Sequence, residues 1–138
     1  MPEIIDFGSL TLRFLRDKRE TGGNLDMFET TLLSWERMPV PHYHETWDET
    51  VFGIFGTTTF TVDGTAHGGG PGAVLALPRG EVHGFDDRSG APATNLYVLT
   101  PGALGPEYFG EFAALVATGA PDSARVRAIM LRHGPVPA

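Results

Sequence analysis

The sequence has 138 residues, 41% of them hydrophobic, with 10 basic against 17 acidic side chains and a formal charge of -7. That length and composition suit one domain around one core, and the acidic balance, with no Lys/Arg cluster to follow a phosphate backbone, argues against nucleic acid as a partner. Cysteine is absent, which excludes disulfides and thiolate chemistry and leaves imidazole and carboxylate as the groups that could hold a metal.

From the N-terminus, MPEIIDFGSL offers neither a basic start nor a continuous apolar run, and no segment approaches the roughly 18 apolar residues that span a bilayer. A cytoplasmic protein without a membrane partner is expected. Between Leu10 and Leu99, short β-branched and aromatic runs are broken by Gly, Pro and Asp, the pattern of an all-β sandwich or barrel. Leu10–Leu15 and Phe28–Trp35 read as the first strands. The stretch from Val51 to Leu77 reads as a hairpin turned at Asp63-Gly64, where positive backbone angles suit a tight turn, and Gly68-Gly69-Gly70-Pro71 breaks it again. Val82–Phe85 and Asn95–Thr100 follow on either side of a polar loop. Seven or eight strands then fit before residue 101, a number that suits a jelly roll.

Beyond Pro101-Gly102 the period changes, because Tyr108, Phe109, Phe112, Leu115 and Val116 fall on one helical stripe. A second helix is expected from an N-cap at Asp122 through Val126, Ile129 and Met130 to a stop at Gly134, before two prolines. Residues 1–138 thus read as a single unit, a barrel over roughly 8–100 followed by a helical hairpin over roughly 105–133.

The chemistry concentrates in PHYHETWDETVFGIFG. His42 and His44, two apart, point to one face of an extended strand. Glu49 lies past a polar turn on what reads as a returning strand, with Val51, Gly53 and Phe55 on its own face. Pro78 and Gly80 make a turn just before His83 and redirect its strand inward. Three neutral imidazoles and a carboxylate suit Fe, Mn, Co, Ni, Cu or Zn, and such a set leaves one or two coordination positions open, as catalytic sites do.

At these residues the sequence resembles the cupin superfamily. Its first motif is matched by His42, His44, Glu49 and Gly56, and its second by Gly72, Pro78, Gly80 and His83, so the likeness spans both motifs and the roughly 40 residues joining them. Two positions depart from the pattern, Glu36 where a glycine usually opens the first motif and Asp87 where an asparagine usually closes the second. Neither is a ligand position. The resemblance implies a jelly-roll β-barrel, one divalent transition metal on His42, His44, Glu49 and His83, and a homodimer formed through barrel faces or through an exchanged segment at residues 3–15. The single barrel with an aromatic-rich helical tail is further similar to small bacterial quercetinase-like proteins. That likeness implies a dioxygenase acting on a small substrate, with an aromatic hydroxy-ketone among the candidates. The same ligands also serve metal-dependent isomerases, cyclases and lyases, and binding cupins without chemistry.

Glu49 has a second possible role, since a carboxylate that leaves the metal can act as general base. His67 in a Gly-rich turn reads as a solvated loop residue. His133, in the last turn of a helix, suits the helix dipole. Asp48 and Tyr43 alternate with the ligand positions and should point away. Trp47 has no assigned role. Phe85 shares the face of His83 and is a candidate for the pocket wall, while Phe109 and Phe112 read either as a lid over the barrel mouth or as helix packing.

Overall fold

Every second residue of the segments Leu10–Arg16, Asp26–Leu32 and Ala93–Thr100 is buried over most of their length, the period of strands that keep one face on a core. The structure is a computed structural model and describes residues 3–33, 41–119 and 122–138; Trp35 and Glu36 lie outside the described residues. In chain order the strands are β1 (Glu3–Asp6), β2 (Leu10–Arg16), β3 (Asp26–Leu32), β4 (His42–Tyr43), β5 (Asp48–Phe55), β6 (Thr58–Val62), β7 (Thr65–Gly69), β8 (Val74–Leu77), β9 (His83–Asp86) and β10 (Ala93–Thr100). Helices α1 (Pro106–Val116) and α2 (Ser123–His133) follow, and a short β11 (Val136–Pro137) ends the chain.

The strands form two antiparallel sheets, one in the order β1-β2-β3-β10-β5-β8 and the other β11-β4-β9-β6-β7. This is the mostly-β jelly roll with two C-terminal helices that the sequence led us to expect. Leu12, Phe14, Phe28, Leu32, Val51, Phe60, Leu77 and Leu99 fill the space between the sheets. The hairpin at Asp63-Gly64 is present, with φ of 47° and 82° at its two residues. No helix among the described residues is long and apolar enough to cross a membrane.

Two expectations are corrected. Ten strands, not seven or eight, precede residue 101 among the described residues, because β1 and the two-residue β4 are too short to carry a readable alternation. Phe55 does not share the inward face of Glu49. A register shift opposite Thr94 and Asn95 breaks the alternation after Gly53, and Phe55 is 62% exposed. The second helix stops at Gly134 as expected, and the residues after it add a strand that the sequence did not announce. Val136 pairs with Tyr43 and Pro137 with His42, so β11 is an edge strand, where a missing N–H is tolerated.

The helices are tied to the barrel at defined points. The fully buried Asp26 accepts hydrogen bonds from the backbone of Lys18 at 2.7 Å and of Ala103 at 2.6 Å, while Lys18 Nζ donates to the Ala103 carbonyl. These contacts fix the strap that leads from β10 into α1. Phe109 then packs on Phe14 and Phe28 at ring separations of 5.8 and 5.3 Å. Asp122 caps α2 by accepting from Ala124 N, as expected. Glu111 on α1 accepts from Arg132 and from His133 Nε2 on α2. Replacing Asp26 with Ala strands two buried backbone donors, so D26A should lose about 2–4 kcal/mol of stability in urea denaturation.

Candidate metal centre

Three elements bring the predicted residues together. His42 sits in β4 and His44 just beyond it, Glu49 is the second residue of β5, and His83 opens β9. His42 and His83 are register partners across β4 and β9, with rings 4.6 Å apart. The turn before His83 is held against the first motif by Gly80 N, which donates to the His44 carbonyl at 2.8 Å. His44, Glu49 and His83 are all buried, and one potential ligand atom from each lies within 4.8 Å of the others. His42 adjoins this trio and faces the same cavity.

The tautomers follow from the backbone. His44 Nδ1 is 2.7 Å from the Trp47 carbonyl, and His83 Nδ1 is 3.1 Å from the Glu81 carbonyl. A carbonyl oxygen only accepts, so both Nδ1 atoms carry the proton and both Nε2 atoms present a bare lone pair. His44 Nε2 is 3.4 Å from Glu49 Oε1, and His83 Nε2 is 4.0 Å from Glu49 Oε2. His44 Nε2 is buried with no hydrogen-bond partner among the described residues. Lone pairs facing a carboxylate in a buried site repel one another unless a cation or a proton lies between them. Burial, helped by the neighbouring His83 and His42, lowers the His44 imidazole to about 4, and burial lowers His83 as well. Both rings are therefore neutral donors near neutral pH. Burial pushes the Glu49 carboxyl above its ordinary value, against the pull of His42 and of a hydrogen bond from Trp47. The donor set and its geometry fit a divalent transition metal.

Trp47, which sequence reasoning left unassigned, is a structural partner of this trio. It is 1% exposed, stacks on His44 at 4.6 Å and 15°, and donates from Nε1 to Glu49 Oε1 at 3.2 Å. The signal was present, because Trp47 and Glu49 are two apart and share a face. Gly134, with φ of 120°, lies so close that a Cβ there would sit 2.7 Å from the indole ring. The excluded residues fall where expected: Asp48 is exposed and bonds Arg79, and His67 is exposed, though it lies within β7 rather than in a turn. His133 bonds Glu111 and packs on Tyr108.

Glu49 and His83 of the trio, with His42, line a cavity of about 80 Å³ between the sheets and the helices, while His44 lies behind them. Phe85 lines it, as do Phe109 and Phe112, which pack on Phe14 and Phe7 of the barrel, in keeping with the helix-packing reading of the two. Leu10, Leu12, Phe28, Leu77, Leu104 and Met130 complete the apolar wall, and Thr30, Tyr97 and Tyr108 add hydroxyls. None of these lining residues is Arg or Lys.

The cupin domain family model matches residues 31–99, half of the chain and the part that contains both motifs. The chain is a cupin. Among curated proteins, none matches the sequence. Among solved structures, this cupin is similar to a sugar phosphate isomerase of the cupin superfamily from Silicibacter pomeroyi, with 28% identity and a TM-score of 0.59 over 68% of this chain and 60% of that one. It thus spans less than two thirds of that protein. A predicted oxalate decarboxylase from Thermotoga maritima, at 20% identity, has a TM-score of 0.65 over 73% of this chain and 92% of that one. The cupin domain of an XRE family transcriptional regulator from Enterobacter cloacae, at 17% identity, has a TM-score of 0.59 over 67% and 96%. The last two likenesses concern the fold alone.

Two outcomes check the centre. W47F, which loses the donor to Glu49, and G134A, which displaces the indole, should each weaken metal binding about 10- to 100-fold in chelator competition. Because Glu49 holds its proton above the ordinary carboxyl range, metal binding near pH 5 should release it. Calorimetry in buffers of different ionisation enthalpy should show fewer protons released by E49Q than by the wild type.

Proposed function

We propose that this cupin is a metal-dependent enzyme, with one divalent transition metal on His42, His44, Glu49 and His83, acting on a small and largely apolar substrate. Its leading chemistry is the reaction of that substrate with dioxygen. The observation that carries the reading is the pair of backbone-pinned imidazoles whose bare Nε2 atoms face Glu49 at one end of an aromatic cavity.

When bound, the metal supplies a Lewis acid with open coordination positions for a substrate oxygen or for dioxygen. The chain's own residues do the rest. Trp47 and Glu81 hold the imidazoles in their donor tautomer. The apolar wall orients the substrate body and keeps water out. Glu49, whose carboxyl is raised by burial, accepts the proton of a substrate hydroxyl, which leaves an enolate or alkoxide.

A second reading is an isomerase, cyclase or lyase that moves a proton without oxygen. The similarity to the Silicibacter pomeroyi sugar phosphate isomerase favours it. Against a phosphorylated substrate stands the lining, which offers no Arg or Lys to a phosphate.

Protein purified without chelator should contain about one metal per chain by elemental analysis, and H44A and H83A should lose it with an unchanged far-UV circular dichroism spectrum. The metal-loaded protein should consume oxygen with a flavonol such as 3-hydroxyflavone. Retained metal with no oxygen uptake, but product formed under argon, would move the assignment to the second reading. A protein that refuses every divalent metal overturns both.

A further inference from the structure

Tyr97 is 5% exposed and lines the cavity, and its hydroxyl is buried with no hydrogen bond of normal geometry among the described residues. Burial raises the phenol's pKa, and the nearby Thr30 side chain opposes that shift without meeting hydrogen-bond geometry. A buried hydroxyl without a partner costs about 1–3 kcal/mol by general experience, so something must recover that cost when the protein is at work.

The placement of the ring is not accidental to the site. On β10, Leu99 is the register partner of Glu49 and Tyr97 is the partner of Val51, so Tyr97 is diagonal to Glu49 on the same inward face. Its ring stacks on Phe28 at 5.4 Å and 6°, and Phe85 flanks it at 6.3 Å. These contacts leave the hydroxyl little freedom to seek another partner. The site side of the cavity offers acceptors, the bare Nε2 of His83 and the oxygens of Glu49, while the Trp47 N–H is already engaged. Burial keeps the phenol protonated.

We propose that the Tyr97 hydroxyl is the donor that fixes the substrate, giving its hydrogen bond to a carbonyl or enolate oxygen carried on an otherwise apolar body. This deepens the enzyme reading and rests on it only for the word substrate. The cavity then selects for one acceptor oxygen at the Tyr97 side, and the conservative change Y97F removes that selection without creating a void.

The test uses cyclopentanone and methylenecyclopentane, which share a shape and differ in the exocyclic acceptor, titrated by NMR into the full chain as purified and after loading with Zn(II). The wild type should bind the ketone about tenfold more tightly than the alkene. Y97F should lose that preference while alkene affinity and metal content stay unchanged, and its thermal midpoint should not fall, since the hydroxyl it loses has no partner to leave behind. A preference that survives in Y97F, a wild type that binds the two probes equally or binds neither, or a Y97F protein of lowered stability would overturn the assignment. If the wild type takes up no metal yet shows the preference and Y97F loses it, the donor role of Tyr97 stands and the metalloenzyme reading falls.

Discussion

A carbonyl oxygen can accept a hydrogen bond but cannot give one, and at the centre of this barrel two of them, on Trp47 and Glu81, each face an imidazole Nδ1. That asymmetry orders the rest. It puts the protons of His44 and His83 on the outer nitrogens, turns both Nε2 lone pairs toward Glu49, and creates a buried cluster whose members repel unless a positive charge joins them. Burial keeps the rings neutral and resists ionisation of the carboxyl. The cluster is thus suited to exchange the proton that burial favours on Glu49 for a divalent cation.

Supports for the cluster reach it from distant parts of the chain. The indole of Trp47 presses on His44 and holds Glu49, and Gly134 leaves room for that indole. Beyond Gly134 the last strand pairs with the two residues of β4, which carries His42. A strand of two residues has little pairing of its own, so its position depends on β9 on one side and β11 on the other.

Much of this was legible in the sequence, and the reasons differ by element. The two-residue spacing of His42 and His44, the Asp63-Gly64 turn and the helical stripe from Tyr108 to Val116 are local patterns that one period or one turn type accounts for. What escaped notice depends on distant pairing. β11 has two residues, one of them a proline, so it carries no periodic signal, and it exists because β4 offers it an edge. The exposure of Phe55 comes from a register shift opposite β10, invisible from β5 alone. The orphan hydroxyl of Tyr97 could not be foreseen either, because an unsatisfied donor is defined by what fails to reach it.

The cavity is built from two kinds of chain. Its candidate metal ligands, His42, Glu49 and His83, come from strands within residues 31–99, the part matched by the cupin family, whereas Leu104, Tyr108, Phe109, Phe112 and Met130 come from the later helical segment. One stretch thus carries the reactive groups while another shapes the entrance, so drift in the second can retune what is admitted with little penalty to the first. The exception is the final turn, where Gly134 and β11 brace Trp47 and β4. A chimera that borrowed another cupin's tail would inherit a new doorway, but would keep its centre only if those last residues came along unchanged.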